Sequence, residues 1–226
     1  MTPIYLYTLL VSLSVPLLFS VFYIDFIKKW KAFGISTVFV ALVFLIWDVI
    51  FTKQGVWGFN HDYCLDAYFL GLPIEEWLFF IIIPFCSLFT HFSLFHACPK
   101  LRLGKQTTLY ISITLLLTVA VVLIFNFGKA YTTVNYSFVL LSLILGLLYN
   151  RSLLQQFYIS FIVILIPFFI VNGILTGAIT PEPIVWYDNT ENLGVRLHTI
   201  PVEDIGYAFS MLFSNLLIFK KLTTKK

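Results

Sequence analysis

The residues best suited to chemistry are two copies of a Pro-x-Glu-acid motif, Pro73-Ile74-Glu75-Glu76 and Pro201-Val202-Glu203-Asp204, each opening a long apolar run. Paired carboxyl groups in unlike environments can supply one proton donor and one proton acceptor. Glu75 and Glu203 lie where hydrocarbon begins, and ionisable groups at such depth are functional candidates by default. A structural role competes with this, because proline suits a first helical turn and acids there complement the helix dipole. One copy alone would read that way. The surroundings are duplicated as well, however. Asp48-Val49-Ile50-Phe51-Thr52 and Val56-Trp57 precede the first motif; Asn172-Gly173-Ile174-Leu175-Thr176 and Val185-Trp186 precede the second. The offsets are 124 residues (48 to 172), 129 (57 to 186) and 128 (75 to 203). The candidate catalytic set is therefore Glu75, Glu76, Glu203, Asp204 and Asp48. The counterpart of Asp48 is Asn172, which cannot titrate, so a catalytic Asp48 would make the halves chemically unequal. Trp57 and Trp186 also suit interface anchoring.

These motifs must be positioned by elements that live in lipid. Of 226 residues 60% are hydrophobic and only 11% charged, with mean hydropathy +0.94, whereas a soluble domain carries about 25% charged residues. Apolar runs of bilayer length predict seven spans, at about 3–24, 33–51, 74–95, 107–126, 134–150, 155–176 and 202–219. Pro84 and Pro167 fall inside two of them, as membrane helices tolerate. With seven spans, one side of the membrane holds Lys28, Lys29, Lys31, Lys100, Arg102, Lys105, Arg151, Lys220, Lys221, Lys225 and Lys226. The other holds Lys53, Lys129 and Arg196. That split predicts an N-terminus outside and a cytoplasmic C-terminus in the cell (inner) membrane. Asp25 joins the basic side; the other ten acids collect toward the outer half. The N-terminal run lacks a basic flank and reads as a retained helix rather than a cleaved signal.

The repeat sets the architecture. Spans one to three form one copy and five to seven the other, and an odd connecting span restores orientation. The expected fold is all-α and integral to the membrane: two parallel three-helix repeats (1–96 and 131–226) joined by a connector, 97–130, carrying the fourth helix. Both acid motifs then lie on one face and can converge. Cys64, Cys86 and Cys98 form no C-x-x-C pair, and His61, His91, His96 and His198 form no ligand cluster, so no metal site is expected. The short basic clusters follow from topology, so nucleic-acid binding is not expected.

The motifs quoted above, with Gly55-Val56-Trp57-Gly58-Phe59-Asn60, Glu182-Pro183, Glu191-Asn192-Leu193-Gly194 and Ile200-Pro201, resemble the integral-membrane lycopene cyclase family over nearly the whole length. That family has two homologous membrane units, separate or fused, and this sequence is similar to the fused form. The resemblance implies a lycopene β-cyclase, which closes the ends of lycopene by redox-neutral acid–base chemistry through γ-carotene to β-carotene. Glu75, Glu76, Glu203 and Asp204 would be its essential acids, with Asp48 a weaker transfer. A ring cation needs stabilisation without a trapping nucleophile. Trp77, Phe79, Phe80 and Phe85 near Glu75, and Tyr207 and Phe209 near Glu203, could offer cation–π faces. The candidate substrate-binding set is Trp57, Trp77, Phe79, Phe80, Trp186, Tyr207 and Asn172. No G-x-G-x-x-G follows a strand, so no flavin or other cofactor is expected. The implied partners are lycopene, the lipid bilayer and other enzymes of carotenoid synthesis.

Other readings fit less well. A cyclase acting on another linear carotenoid shares these motifs. A proton-coupled transporter would use buried acids and parallel repeats, but as a relay through the membrane rather than a cluster at one face. A seven-span retinal protein needs a Schiff-base lysine in the last span, and 202–219 holds none. A diiron hydroxylase needs more than the four histidines present.

Overall fold

The computed structural model describes residues 2–24 and 26–224; Met1, Asp25, Lys225 and Lys226 lie outside the described residues. Among the described residues, seven helices are long and apolar enough to cross a membrane. They are α1 (Ile4–Phe22), α2 (Trp30–Gln54), α3 (Ile74–Ala97), α4 (Lys105–Phe125), α5 (Ala130–Tyr149), α6 (Arg151–Leu175) and α7 (Glu203–Thr224). The expected number, order and repeat plan hold, and the ends shift by up to five residues. In lipid, helices satisfy every interior backbone group internally, so breaks fall where polar loops begin. Thus α2 stops at Gly55, whose φ of 75° lets its amide cap Phe51 and Thr52 carbonyls. Pro16 lies inside α1 as Pro84 and Pro167 do inside α3 and α6.

Each loop before an acid motif carries the same small device. β2 (Tyr68–Phe69) and β3 (Leu72–Pro73) pair in one repeat, β5 (Arg196–Leu197) and β6 (Ile200–Pro201) in the other. Two residues connect each hairpin, and the first of them, Leu70 or His198, has positive φ, 55° or 60°. The repeats join through β1 (Trp57–Phe59) and β4 (Val185–Tyr187), paired antiparallel as Trp57 with Tyr187, Gly58 with Trp186 and Phe59 with Val185. Exchanging the repeats maps the first of these pairs onto the second, so a pseudo-twofold axis passes through this ladder. The two loops therefore share one end of the bundle, as parallel repeats require. Gly58 lets the strands meet: a Cβ there would sit 2.3 Å from the Trp186 ring.

Helix packing follows the same symmetry but interleaves the repeats. α1 packs on α3 and α5 on α7, while α2 packs mainly on α7 and α6 on α3. Lipid gives little hydrophobic drive between helices, so close approach and buried polar bonds hold them. Asn215 Nδ2 donates to Thr37 Oγ1 (3.0 Å) across α7–α2, and His91 Nδ1 meets Ser160 Oγ (2.7 Å) across the equivalent α3–α6 contact. The α4 helix lies outside on α5 and α6, tied by Ser112 to Tyr158 at 2.7 Å.

Candidate active site

At the loop end, the interleaved helices enclose a cavity of about 330 Å³ with an overwhelmingly apolar wall. The acid motifs begin α3 and α7 beside it, and consecutive acids on a helix point about 100° apart. The first acid of each pair turns toward its own loop. Glu75 Oε1 accepts the Leu65 amide at 2.6 Å, and Glu203 Oε1 accepts the Leu193 amide at 2.7 Å. Both glutamates are fully buried, and neither lines the cavity. The second acid of each pair, Glu76 or Asp204, does line it. Asp48, from α2, lines it as well.

A tyrosine grips each cavity acid. Tyr5 donates to Glu76 Oε2 and Tyr131 to Asp204 Oδ1, both at 2.5 Å. Tyr5 and Tyr131 hold equivalent places at the start of α1 and α5. Beyond this the halves diverge. In the first, Asp48 is the immediate electrostatic neighbour of Glu76, and its Oδ1 accepts the Trp57 indole at 2.7 Å. In the second, Asp204 Oδ2 accepts Tyr187 at 3.1 Å and the Asn172 amide at 3.4 Å. So Asp204 takes three donors in total, and Asn172 stands where the first half has Asp48; three donors suit a carboxylate. Burial, and then the neighbouring Asp204, push the Tyr187 phenol well above its ordinary range, so it stays a hydrogen donor. Glu203 has further partners without parallel in the first half: Thr132 donates to its Oε1 (2.8 Å) and Asn135 to its carbonyl (2.6 Å).

Aromatic faces surround the acids. Trp57 meets Tyr131 at 5.2 Å, Tyr131 stacks on Tyr187 at 5.7 Å, and Trp47 backs Tyr207 at 5.1 Å. This gives a nonpolar, electron-rich wall with acids at one end, a setting for a carbocation generated and quenched by proton transfer. Among the described residues no group of three His, Cys, Asp or Glu could hold a metal ion.

A family model described as lycopene cyclase matches residues 2–94 and again 128–222. The chain belongs to the lycopene cyclase family. Both matched segments contain one acid motif, and the stretch between them, 95–127, contains α4. No curated protein and no solved structure matches the chain. Membership makes this an enzyme of carotenoid cyclisation with a carotenoid substrate, set in a membrane by its seven helices.

Within this lycopene cyclase family member, the candidate residues sort by place. Asp48, Glu76, Asp204, Trp57, Phe79, Tyr207 and Asn172 are brought together on the cavity. Glu75, Glu203, Trp77, Phe80 and Trp186 are not among its lining residues. Trp77 donates to the Phe69 carbonyl at 3.3 Å, Phe80 is packed in the core, and Trp186 is 41% exposed. Phe85 and Phe209 pack in separate aromatic clusters, with Phe33 and with Phe161. Tyr5, Tyr131 and Tyr187 were not singled out from the sequence. The signal for the first two was present, since self-comparison places Tyr131 126 residues after Tyr5. Tyr187 has no such signal, because its counterpart is Gly58.

Proposed function

We propose that the protein is a lycopene β-cyclase, which closes the linear ends of lycopene to β-rings through γ-carotene to β-carotene. The observation that carries this reading is the convergence of Glu76, Asp48 and Asp204, from both repeats, on one apolar aromatic cavity. Glu76 and Asp48 are too close to ionise together at low cost, so the pair retains a proton. That proton goes to the terminal double bond and leaves a tertiary cation. The internal double bond attacks it, forming the ring bond and moving the charge onto a ring carbon. Asp204 then takes the proton from the adjacent ring-junction carbon, and the electrons of that C–H bond become the ring double bond. One proton enters and one leaves, so the balance requires no net oxidant or reductant. Trp57, Tyr131, Tyr187 and Tyr207 present their faces to the travelling charge.

In this reading Glu75 and Glu203 support the site by holding the Leu65 and Leu193 loops. Pigment analysis of lycopene-accumulating cells is the test. Wild type is expected to produce β-carotene with transient γ-carotene, consistent with one cavity processing one end at a time. Glu75→Gln and Glu203→Gln are expected to lower the melting temperature, by about 1–3 kcal/mol of stability each, with ring formation per folded molecule changed far less. Unchanged lycopene beside inserted wild-type protein would sink the lycopene assignment, and longer linear carotenoids would be tried next. A large rate loss in Glu75→Gln without any loss of stability would return Glu75 to the reacting groups.

We also place the acid end outside and the basic end, with the C-terminus, in the cytoplasm, as the distribution of lysine and arginine supports. Cys98 is exposed at the basic end, while Cys64 is buried at the acid end. A membrane-impermeant maleimide is expected to label Cys98 in opened cells and not in intact ones. Labelling in intact cells would invert the topology.

A further inference from the structure

The pseudo-twofold axis generates two equivalent crevices, one between α1 and α6 and one between α5 and α2. Their linings differ in one direction. Where the α5–α2 crevice carries Phe138, Trp47 and Phe51, the α1–α6 crevice carries Ser12, Val171 and Leu175 at the corresponding positions. On the α5–α2 side the large rings fill the space. Trp47 stacks flat on Phe138 (5.5 Å, 4°) and meets Phe51 at 5.6 Å, and Phe44 closes on Phe138 and Tyr207 at 5.2 Å each. None of Phe44, Trp47, Phe51 and Phe138 lines the cavity, whereas Ser12, Val171 and Leu175 all do. The cavity therefore leaves the axis on one side only.

On that side it runs toward the membrane centre. Its α3 wall extends from Glu76 to Thr90, about 21 Å of helix. Its edge reaches the outer surface of the bundle, where Val11 on α1 is 73% exposed and Ile170 on α6 is 61% exposed. In a membrane, those two side chains face lipid tails. A groove that is apolar and open to lipid in the acid-end half of the bundle suits a long, thin hydrocarbon chain arriving sideways from the bilayer, with its tip reaching the acids.

We infer that the α1–α6 crevice is the single lateral mouth and polyene-binding groove of the enzyme, its pseudo-symmetric twin being plugged by the Trp47–Phe138 stack. This inference rests on the cyclase reading for its substrate. One mouth also gives a physical reason for closing one end at a time, since the first ring must withdraw before the other end can enter.

The symmetry supplies the control. Val11→Trp with Ile170→Trp would crowd the mouth. Ser137→Trp with Ile46→Trp would place the same bulk at the mirror positions, where Ser137 is exposed and Ile46 is 63% exposed. All four sites face outward, so folding is little disturbed. Each protein is purified into nanodiscs and tested for lycopene retained per protein and for ring formation. The mouth variant is expected to lose about tenfold or more in both, and the mirror variant to stay within about twofold of wild type. Ser12→Phe, which copies Phe138 into the open crevice, is expected to behave as the mouth variant does. Equal retention and conversion by mouth and mirror variants would overturn the inference, as would loss in the mirror variant alone. Wild type that retains lycopene through the α1–α6 side without closing rings would count against the cyclase reading only, leaving the groove standing.

Discussion

Membranes carrying Glu76→Gln are expected to accumulate unreacted lycopene, with ring formation lowered by about 10²–10⁴-fold, the usual worth of a positioned proton donor. Glutamine keeps the shape and can still accept the Tyr5 hydroxyl, which reaches Glu76 at 2.5 Å, so lycopene retention should be little changed. The loss is expected in the chemical step. In the proposed mechanism Asp48→Asn removes the carboxyl that shares a proton with Glu76, and a loss of similar order is expected. Because the two act as one unit, the double variant should be little worse than either single one. Strictly multiplicative losses would mean that Asp48 and Glu76 do separate jobs. Full activity in Glu76→Gln would assign the donor elsewhere, and Glu75 would be next to test.

Asp204→Asn is expected to cost about as much, and for a different reason. Asp204 gathers Tyr131, Tyr187 and Asn172 on its two oxygens. An amide in that place would offer one oxygen to those donors and no negative charge to the ring cation. Preorganised charge of this kind is commonly worth about 10²–10³-fold in rate. Tyr187→Phe leaves the carboxylate with two donors and should cost less, about tenfold. The decisive readout is the ring isomer. If Asp204 takes the proton from the ring-junction carbon, residual product from Asp204→Asn should contain rings whose double bond lies elsewhere, because another base must finish the reaction. Residual product that is purely β-ring, formed at near wild-type rate, would remove Asp204 from the deprotonation step.

Much of this site could be read from the chain. The duplicated Pro-x-Glu-acid motifs, their Trp loops and the odd connecting span place both acid pairs at one end of a seven-helix bundle. Bilayer thickness dictates the length of each helix, and parity dictates the direction of each repeat. The Asp48/Asn172 mismatch also announced that the two halves differ. Which acid of each pair reaches the cavity was not legible. Glu75 and Glu76 are chemically alike neighbours in sequence, and only the hairpin behind α3, with the Leu65 amide in place, turns one to the loop and the other inward.

The tyrosines mark the same boundary from the other side. Nothing in the local sequence around Tyr5 assigns it to Glu76, 71 residues away. That contact exists because α1 packs along α3, a tertiary fact. The interleaving of α2 with α7 and α6 with α3 is likewise invisible to hydropathy, which measures how apolar a helix is and not which neighbour it meets. By itself the sequence determined the membrane class, the seven crossings, the parallel repeat and the set of acids, because hydrophobic length, charge bias and duplication are one-dimensional properties. The tertiary structure alone decided which carboxyls share the cavity, which tyrosines grip them and which of two equivalent crevices is open. Those outcomes depend on how rings and small side chains from distant helices fill the same volume.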